Sequence, residues 1–260
     1  MIKLSDRLQI IADRIKPAET MADIGTDHGF LPIYLKETGI CSRVIMADIS
    51  EPSLGKARMN AASCSEEIRN GLEFRAGDGL QILSRGEVEA VVIAGMGGRL
   101  IRDIMAEDMD ITRSVRRFVL QPRIGQGYLR KWLYLNGFSI ISEDLVYEGD
   151  YIPEIITVLS PDVSDSSYYG ESLFRQCDER MKAADGDDIL WRIPPWIIRA
   201  EGPVSEFLCR NIAREEKKLS NVRMAKIRNR QLEDRICEDI SYLLRLKEEY
   251  ENGKHNTLYR

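Results

Sequence analysis

The sequence predicts an α/β protein: a doubly wound, mostly parallel sheet followed by a helical hairpin. Three observations carry that prediction. Short apolar runs alternate with amphipathic segments through residues 1–161, the pattern of successive β–α units. Four of those runs end in a short acidic or glycine-rich turn: DIGTDHG at 23–29, DIS at 48–50, GDG at 77–79 and AGMGG at 94–98. In such sheets ligands bind at the carboxyl ends of the strands, where these turns lie. Beyond residue 203, apolar residues recur at helical spacing through two long charged stretches.

The chain has 260 residues, 43% hydrophobic and 30% charged, room for one α/β domain plus a smaller unit. No run approaches the ~18 apolar residues of a membrane span, and Met1-Ile2-Lys3 leads straight into an amphipathic helix without a signal-peptide core. The five cysteines (41, 64, 177, 209 and 237) are scattered, with no C-x-x-C pair, which fits a reduced, cytoplasmic protein. The two histidines, His28 and His255, are too far apart to suggest a zinc site. The net charge of −5 speaks against general nucleic-acid affinity, but the charge is unevenly spread. Residues 111–141 hold no Asp or Glu but include Arg113, Arg116, Arg117, Arg123, Arg130 and Lys131. A second basic run comprises Arg210, Arg214, Lys217, Lys218, Arg223, Lys226, Arg228 and Arg230. Either run alone reads as a solvated helix face; the two together make a polyanionic partner worth carrying.

Along the chain, Leu4, Leu8, Ile11 and Ile15 share one helical face that Pro17 ends, with Arg7 on another face, within reach of the first ligand loop; the alternative is a simply solvated arginine. The first strand, 21–24, runs into Asp23-x-Gly25-Thr26-Asp27-His28-Gly29. This is not the G-x-G-x-x-G of dinucleotide sites, and acids inside the turn repel a pyrophosphate. They tolerate a cationic ligand without phosphate, such as S-adenosyl-L-methionine (SAM). A helix from about 30 to 38 follows, then a second strand at 43–49 that ends in Asp48-Ile49. An acid there, 23 residues after Gly25, is placed to accept from ribose hydroxyls; the alternative is a helix cap made by Asp48 or Ser50. A helix over 52–68 leads to a strand at 72–76 and Gly77-Asp78-Gly79, where Asp78 is placed to accept from an adenine amino group. The strand at 90–94 ends in Gly95-Met96-Gly97, after Ala94, and exposes backbone to a ligand. The Asn/Asp-Pro-Pro-aromatic motif of exocyclic-amine methyltransferases is missing there. The strand at 117–121 closes on Pro122, and after a helix at 127–135 two strands at 138–148 and 154–160 are joined by a hairpin-like link. Five strands alternating with helices, then an antiparallel pair, match the Rossmann-like SAM-dependent methyltransferase sheet. The segment 162–203 changes composition, with a helix expected over 168–184 and no role assigned. Residues 204–260 read as a coiled-coil hairpin of two antiparallel helices, with stripes Val204, Leu208, Ile212, Leu219, Val222 and Leu232, Ile236, Ile240, Leu243; the alternative is a hairpin that serves oligomerisation alone.

The chain resembles the bacterial TrmK family, tRNA (adenine(22)-N1)-methyltransferases. The matching pieces are LSxRL at 4–8, ADIGTDHGFLP at 22–32, GDGL at 77–80, IAGMGGxLI at 93–101 and LQP at 120–122. The resemblance implies SAM as cofactor, held by Arg7, Asp23, Gly25, Thr26, Asp27, His28, Asp48, Ile49, Gly77, Asp78, Gly79, Ala94, Gly95, Met96 and Gly97. It implies tRNA as partner, with no DNA and no membrane. The 94–98 backbone with Met96, Gln121 and Pro122 would cradle the target adenine, and Asp27 or His28 would assist by proton relay or by charge near the sulfonium. Two departures stand out: Arg123 where the family more often has Asn, and Asp48 where it often has Glu. The rival readings are a SAM methyltransferase acting on a small molecule or protein, and a non-enzymatic SAM-binding module.

Overall fold

The structure, a computed structural model, describes residues 2–17, 20–162, 172–225, 227 and 229–258, the side chains of 254–258 lying outside that description. Lys226 and Arg228 of the second basic run, and the start of the helix expected at 168, also fall outside the described residues. Seven strands form one sheet: β1 (Met21–Ile24), β2 (Val44–Asp48), β3 (Leu72–Ala76), β4 (Ala90–Met96), β5 (Arg117–Pro122), β6 (Ser139–Leu145) and β7 (Glu154–Leu159), in the order β3-β2-β1-β4-β5-β7-β6. β1 to β5 are parallel and β6 and β7 form the antiparallel pair that the sequence predicts, β7 entering between β5 and β6 antiparallel to both. The insertion has a geometric consequence. Because β7 runs backwards, the link from β6 to β7 turns at the carboxyl edge of the parallel strands, beside the glycine loops.

The apolar runs of the central strands are two-sided, and successive residues face opposite cores. Ala22, Ile24, Ile45, Ala47, Val91 and Ile93 face a core completed by α5 (Gly98–Glu107) and α7 (Gln126–Leu135). Met21, Val44, Met46, Ala90 and Val92 face a core completed by α1 (Asp6–Asp13), α2 (Phe30–Glu37) and α3 (Glu51–Ala62). The helix expected over 52–68 is two helices. α3 stops at Ser63, whose hydroxyl donates to the Asn60 carbonyl at 2.7 Å, and α4 (Glu66–Arg69) restarts after Ser65. Helix α6 (Met109–Ser114) follows α5 under an Asp108 cap. No helix among the described residues is long and apolar enough to cross a membrane.

The segment after β7 forms part of the core. A 3₁₀ turn (Leu173–Gln176), α8 (Glu179–Ala183), α9 (Ile189–Arg192) and a second 3₁₀ turn (Pro195–Arg199) bring Trp191 and Trp196 to 0% and 1% exposure. They join the same apolar cluster as the base of the helical pair, α10 (Val204–Met224) and α11 (Arg230–Leu258): Val204, Phe207, Leu208, Ile212, Leu243 and Leu246. The boundary expected at residue 203 is therefore no gap in the packing. Just before α10, Leu145 N–H donates to the Glu201 carbonyl at 2.8 Å and Glu201 N–H to the Glu143 carbonyl at 3.2 Å, stitching the chain to the edge of β6. Gly202 follows at φ +103°, where a Cβ would stand 1.9 Å from the Leu145 carbonyl oxygen. In the outer stripe of α11 Glu233, not Leu232, is buried, and Arg223 of α10 reaches it at 2.8 Å.

The basic run of 111–141 is only partly at the surface, where Arg123 is exposed and lines the cavity described below. Arg117 is buried and Arg130 fully so. Arg130, on α7, donates from Nε and Nη2 to Glu143 at 2.9 and 2.8 Å, from Nη2 to Glu154, and from Nη1 to the Trp191 and Arg192 carbonyls at 3.2 and 3.0 Å. Trp196 Nε1–H donates to the same Glu143 at 3.1 Å. One guanidinium thus joins α7, β6, β7 and the post-sheet segment. Removing it leaves two buried carboxylates without a counter-charge. Arg130→Met is expected to cost about 3–5 kcal/mol in denaturant unfolding. Adding Glu143→Gln and Glu154→Gln is expected to recover part of that loss.

Candidate functional site

Three left-handed residues bend the loop after β1: Gly25 at φ 78°, Asp27 at φ 43° and Gly29 at φ 69°. Asp27 is the one non-glycine with positive φ among the described residues, and aspartate tolerates that region better than most side chains. Gly25 and Thr26 donate to the Ala47 carbonyl at 2.8 and 3.1 Å, tying the loop to β2. Gly25 is required by contact as well as by φ, since a Cβ there would meet the Met96 methyl at 2.2 Å. Gly29 caps α2, so that helix aims its amino end at the same edge.

The acids of the loop divide into two environments. Asp23 is buried, with Thr26 Oγ1 donating to it at 2.8 Å. Burial pushes its carboxyl up to about 6, the Thr26 bond and the Arg7 charge opposing. Asp27 is 55% exposed, accepts from Lys56 of α3 at 2.9 Å and lies 3.5 Å from His28 Nε2. The His28 ring stacks on Phe30 at 5.3 Å, nearly parallel.

The β4 turn is set by its neighbour β5. A bulge falls between Ala94 and Met96, and Gly95 sits at φ 78° with nothing within 4 Å of where a Cβ would stand. Its N–H donates to Gln121 Oε1 at 3.1 Å. That oxygen also accepts from Arg7 Nη1 at 3.1 Å, while Gln121 Nε2 donates to the Pro122 carbonyl at 3.2 Å. Gln121 is buried, and its amide is occupied by Arg7, Gly95 and Pro122. Arg7 continues the chain, its Nε donating to Glu148 at 2.7 Å.

Arg7, Asp23, Gly25, Thr26, Asp27, His28, Ala94, Gly95, Gln121 and Pro122 line one cavity of about 1040 Å³. Asp48, Ile49, Gly77, Asp78, Gly79, Met96 and Gly97 lie outside its lining, at the neighbouring strand ends. Asp48 Oδ1 accepts from Ser50 N–H at 2.8 Å and its second oxygen has no hydrogen bond among the described residues. The cap of α3 is made by Ser50, which accepts from Ser53 N–H at 3.4 Å. Asp78 is exposed, and Ile49 is 74% exposed beside Asp48. These are the groups that fit a nucleoside: two carboxylates for hydroxyl and amino donors, an open aliphatic face for a base, and bare glycine backbone between.

The cavity also takes in the β6–β7 link, to which the sequence reading assigned no role, and two arginines of the second basic run. The β6–β7 link contributes Glu148, Asp150, Tyr151, Ile152 and Pro153, and α10 contributes Arg210 and Arg214. The available signal was the antiparallel last strand, which returns its hairpin to the ligand edge. Among the described residues no cluster of three or more His, Cys, Asp or Glu could hold a metal.

The elevated Asp23 value carries a pH dependence. Its folded pKa lies above the ordinary 3.8, so ionisation is harder in the folded protein. The carboxyl costs nothing below about pH 4, and the destabilisation grows as pH rises to about 6 and then stays. Asp23→Asn is expected to raise the melting temperature by a few degrees at pH 7 and by less at pH 4, read by calorimetry.

Comparison with known proteins identifies the family. A family profile described as "Methyltransferase domain" matches residues 4–156. The tRNA (adenine(22)-N(1))-methyltransferase of Bacillus subtilis is 34% identical over 172 residues, covering 66% of this chain and 71% of that protein. The crystal structure of the B. subtilis m1A22 tRNA methyltransferase TrmK superposes with a TM-score of 0.74 at 26% identity, over 95% of this chain and 100% of that one. TrmK of M. capricolum, solved with S-adenosyl-homocysteine, gives 0.69 at 21% identity over 92% and 97%, a likeness of fold. On the profile match and the B. subtilis relative, the chain belongs to the TrmK family of tRNA (adenine(22)-N1)-methyltransferases.

Proposed function

We propose that this chain transfers the methyl group of SAM to N1 of adenine 22 in tRNA. The observation that carries this reading is the continuity of the cavity: one space joins the glycine loops of β1 and β4 to the arginines of α10. A site for a small acceptor needs no such opening toward a basic helix. Membership of the family supplies the base and position. SAM provides an electrophilic methyl on a sulfonium.

Adenine N1 holds an in-plane lone pair in the neutral base, so no group is needed to deprotonate it. The product is a cationic 1-methyladenine that can lose a proton from its amino group later. The protein's part is to hold N1 in line with the methyl. Asp48 accepts from the ribose hydroxyls, Asp78 from the cofactor's adenine, and Ile49 covers that ring. Arg7 and Gln121 act through Gly95: their hydrogen bonds fix the β4 turn and leave its backbone facing the cavity. Arg7, on the cavity wall, also offers charge to the cofactor carboxylate. Asp27, His28 and Pro122 line the same cavity, where the first two would stand near the sulfonium and Pro122 would support the base. The target adenine must leave the tRNA fold to enter.

Methyl transfer from labelled SAM to an unmodified tRNA transcript is expected to give 1-methyladenosine on nucleoside mass spectrometry, and to be lost when adenine 22 is replaced. Transfer only to small molecules or protein would overturn the reading. Asp48→Ala is expected to weaken SAM binding by roughly 10- to 100-fold in calorimetry, the loss of charge-assisted hydrogen bonds. tRNA affinity is expected to fall steeply as salt rises, and less steeply once Arg214 and Lys217 are both changed to Gln.

A further inference from the structure

We propose that Tyr151, at the tip of the β6–β7 hairpin, is a stacking residue that holds an unpaired nucleobase of the tRNA at the mouth of the cavity. The proposal rests on the tRNA reading above and adds to it the surface that engages the substrate.

The hairpin tip is built rigidly. Glu148 and Tyr151 exchange both backbone hydrogen bonds, at 2.9 and 3.0 Å, across a two-residue turn with Gly149 at φ 58°. Two arginines from distant parts of the chain then clamp it. Arg7 of α1 donates to the Glu148 carboxylate at 2.7 Å, and Arg210 Nη1 of α10 donates to the Asp150 carbonyl at 2.7 Å. Nothing comparable restrains the ring between them. Tyr151 is 76% exposed, its hydroxyl has no hydrogen bond among the described residues, and it borders the cavity. A large aromatic left bare on a fixed backbone presents a flat apolar face with little entropy to lose on binding.

The surroundings suit a nucleic acid. Arg210, Arg214 and Lys217 recur at i, i+4 and i+7 along α10, so one helical face carries positive charge outward from the cavity wall. The nearby acids Glu148, Glu154 and Glu206 are held by Arg7, Arg130 and Arg210, which leaves the Asp150 carboxylate against the charges of Arg214 and Lys217. The same cavity is lined by the stacked rings of His28, on the loop after β1, and Phe30, at the start of α2. Three strand spacings separate β1 from β7, about 14 Å. A base drawn out of a folded RNA leaves unstacked neighbours, and aromatic side chains are the usual platforms for them.

The test compares Tyr151→Ala, Tyr151→Leu and Tyr151→Phe with the wild type in steady-state methylation of a tRNA transcript, with SAM binding by calorimetry alongside. The expected result is a KM for tRNA raised about ten-fold or more in the Ala and Leu variants, near wild type in the Phe variant, and SAM affinity unchanged in all three. A wild-type KM in the Ala variant overturns the proposal, and so does full function in the Leu variant, which would mean apolar bulk rather than a π face. If the wild type neither binds nor methylates tRNA, the functional reading falls and this proposal with it; if only the variants behave like wild type, the proposal alone falls.

Discussion

The structure depends on a buried guanidinium. Arg130 draws Glu143 of β6 and Glu154 of β7 to one point and caps two carbonyls of the post-sheet segment, so the antiparallel end of the sheet is locked to the chain that leads into α10. Charges this deep give little net stability against apolar replacements, but they are exacting about geometry. Here the geometry matters, because the same two strands carry the hairpin that walls the cavity. The tryptophans packed around the cluster turn that local arrangement into a continuous core from sheet to helical pair.

The other half of the site is organised by hydrogen bonds that run across the strand ends rather than along them. Arg7, Gln121 and Gly95 form a line from the amino-terminal helix, through β5, to the β4 turn. The line ends at a backbone amide, so side chains far apart in sequence determine how one peptide group is presented. Around it the acids take contrasting states. Asp23 is buried and reluctant to ionise, while Asp27 is exposed and paired with Lys56.

Much of this could be read from the sequence, for a physical reason. Strand ends in a doubly wound sheet are marked by glycine and acid because the backbone must turn sharply where ligands approach, so DIGTDHG, GDG and AGMGG announce themselves locally. The antiparallel pair at the end of the sheet also followed from the pattern of elements. What escaped was decided by tertiary contacts. The run of 111–141 looks cationic because the carboxylates that neutralise Arg130 lie just beyond it, at 143 and 154. The meeting of Arg210 and Arg214 with the cavity depends on how α10 leaves the sheet, which no periodicity encodes. The break in the helix over 52–68 turned on Ser63-Cys64-Ser65, a caps-and-stops pattern inside an otherwise helical run.

The stitch at Glu201 and Gly202 sets the phase of α10. The strand-like pairing to β6 and the bare α-carbon pressed against the Leu145 carbonyl leave no slack before the helix begins. Each residue inserted there would rotate α10 by about 100° relative to the sheet and turn its arginines off the cavity. An insertion earlier, between β7 and Trp191, carries no such rotation. Length variation among sequences with this architecture therefore has a permitted place and a forbidden one, and the forbidden one is only a few residues long.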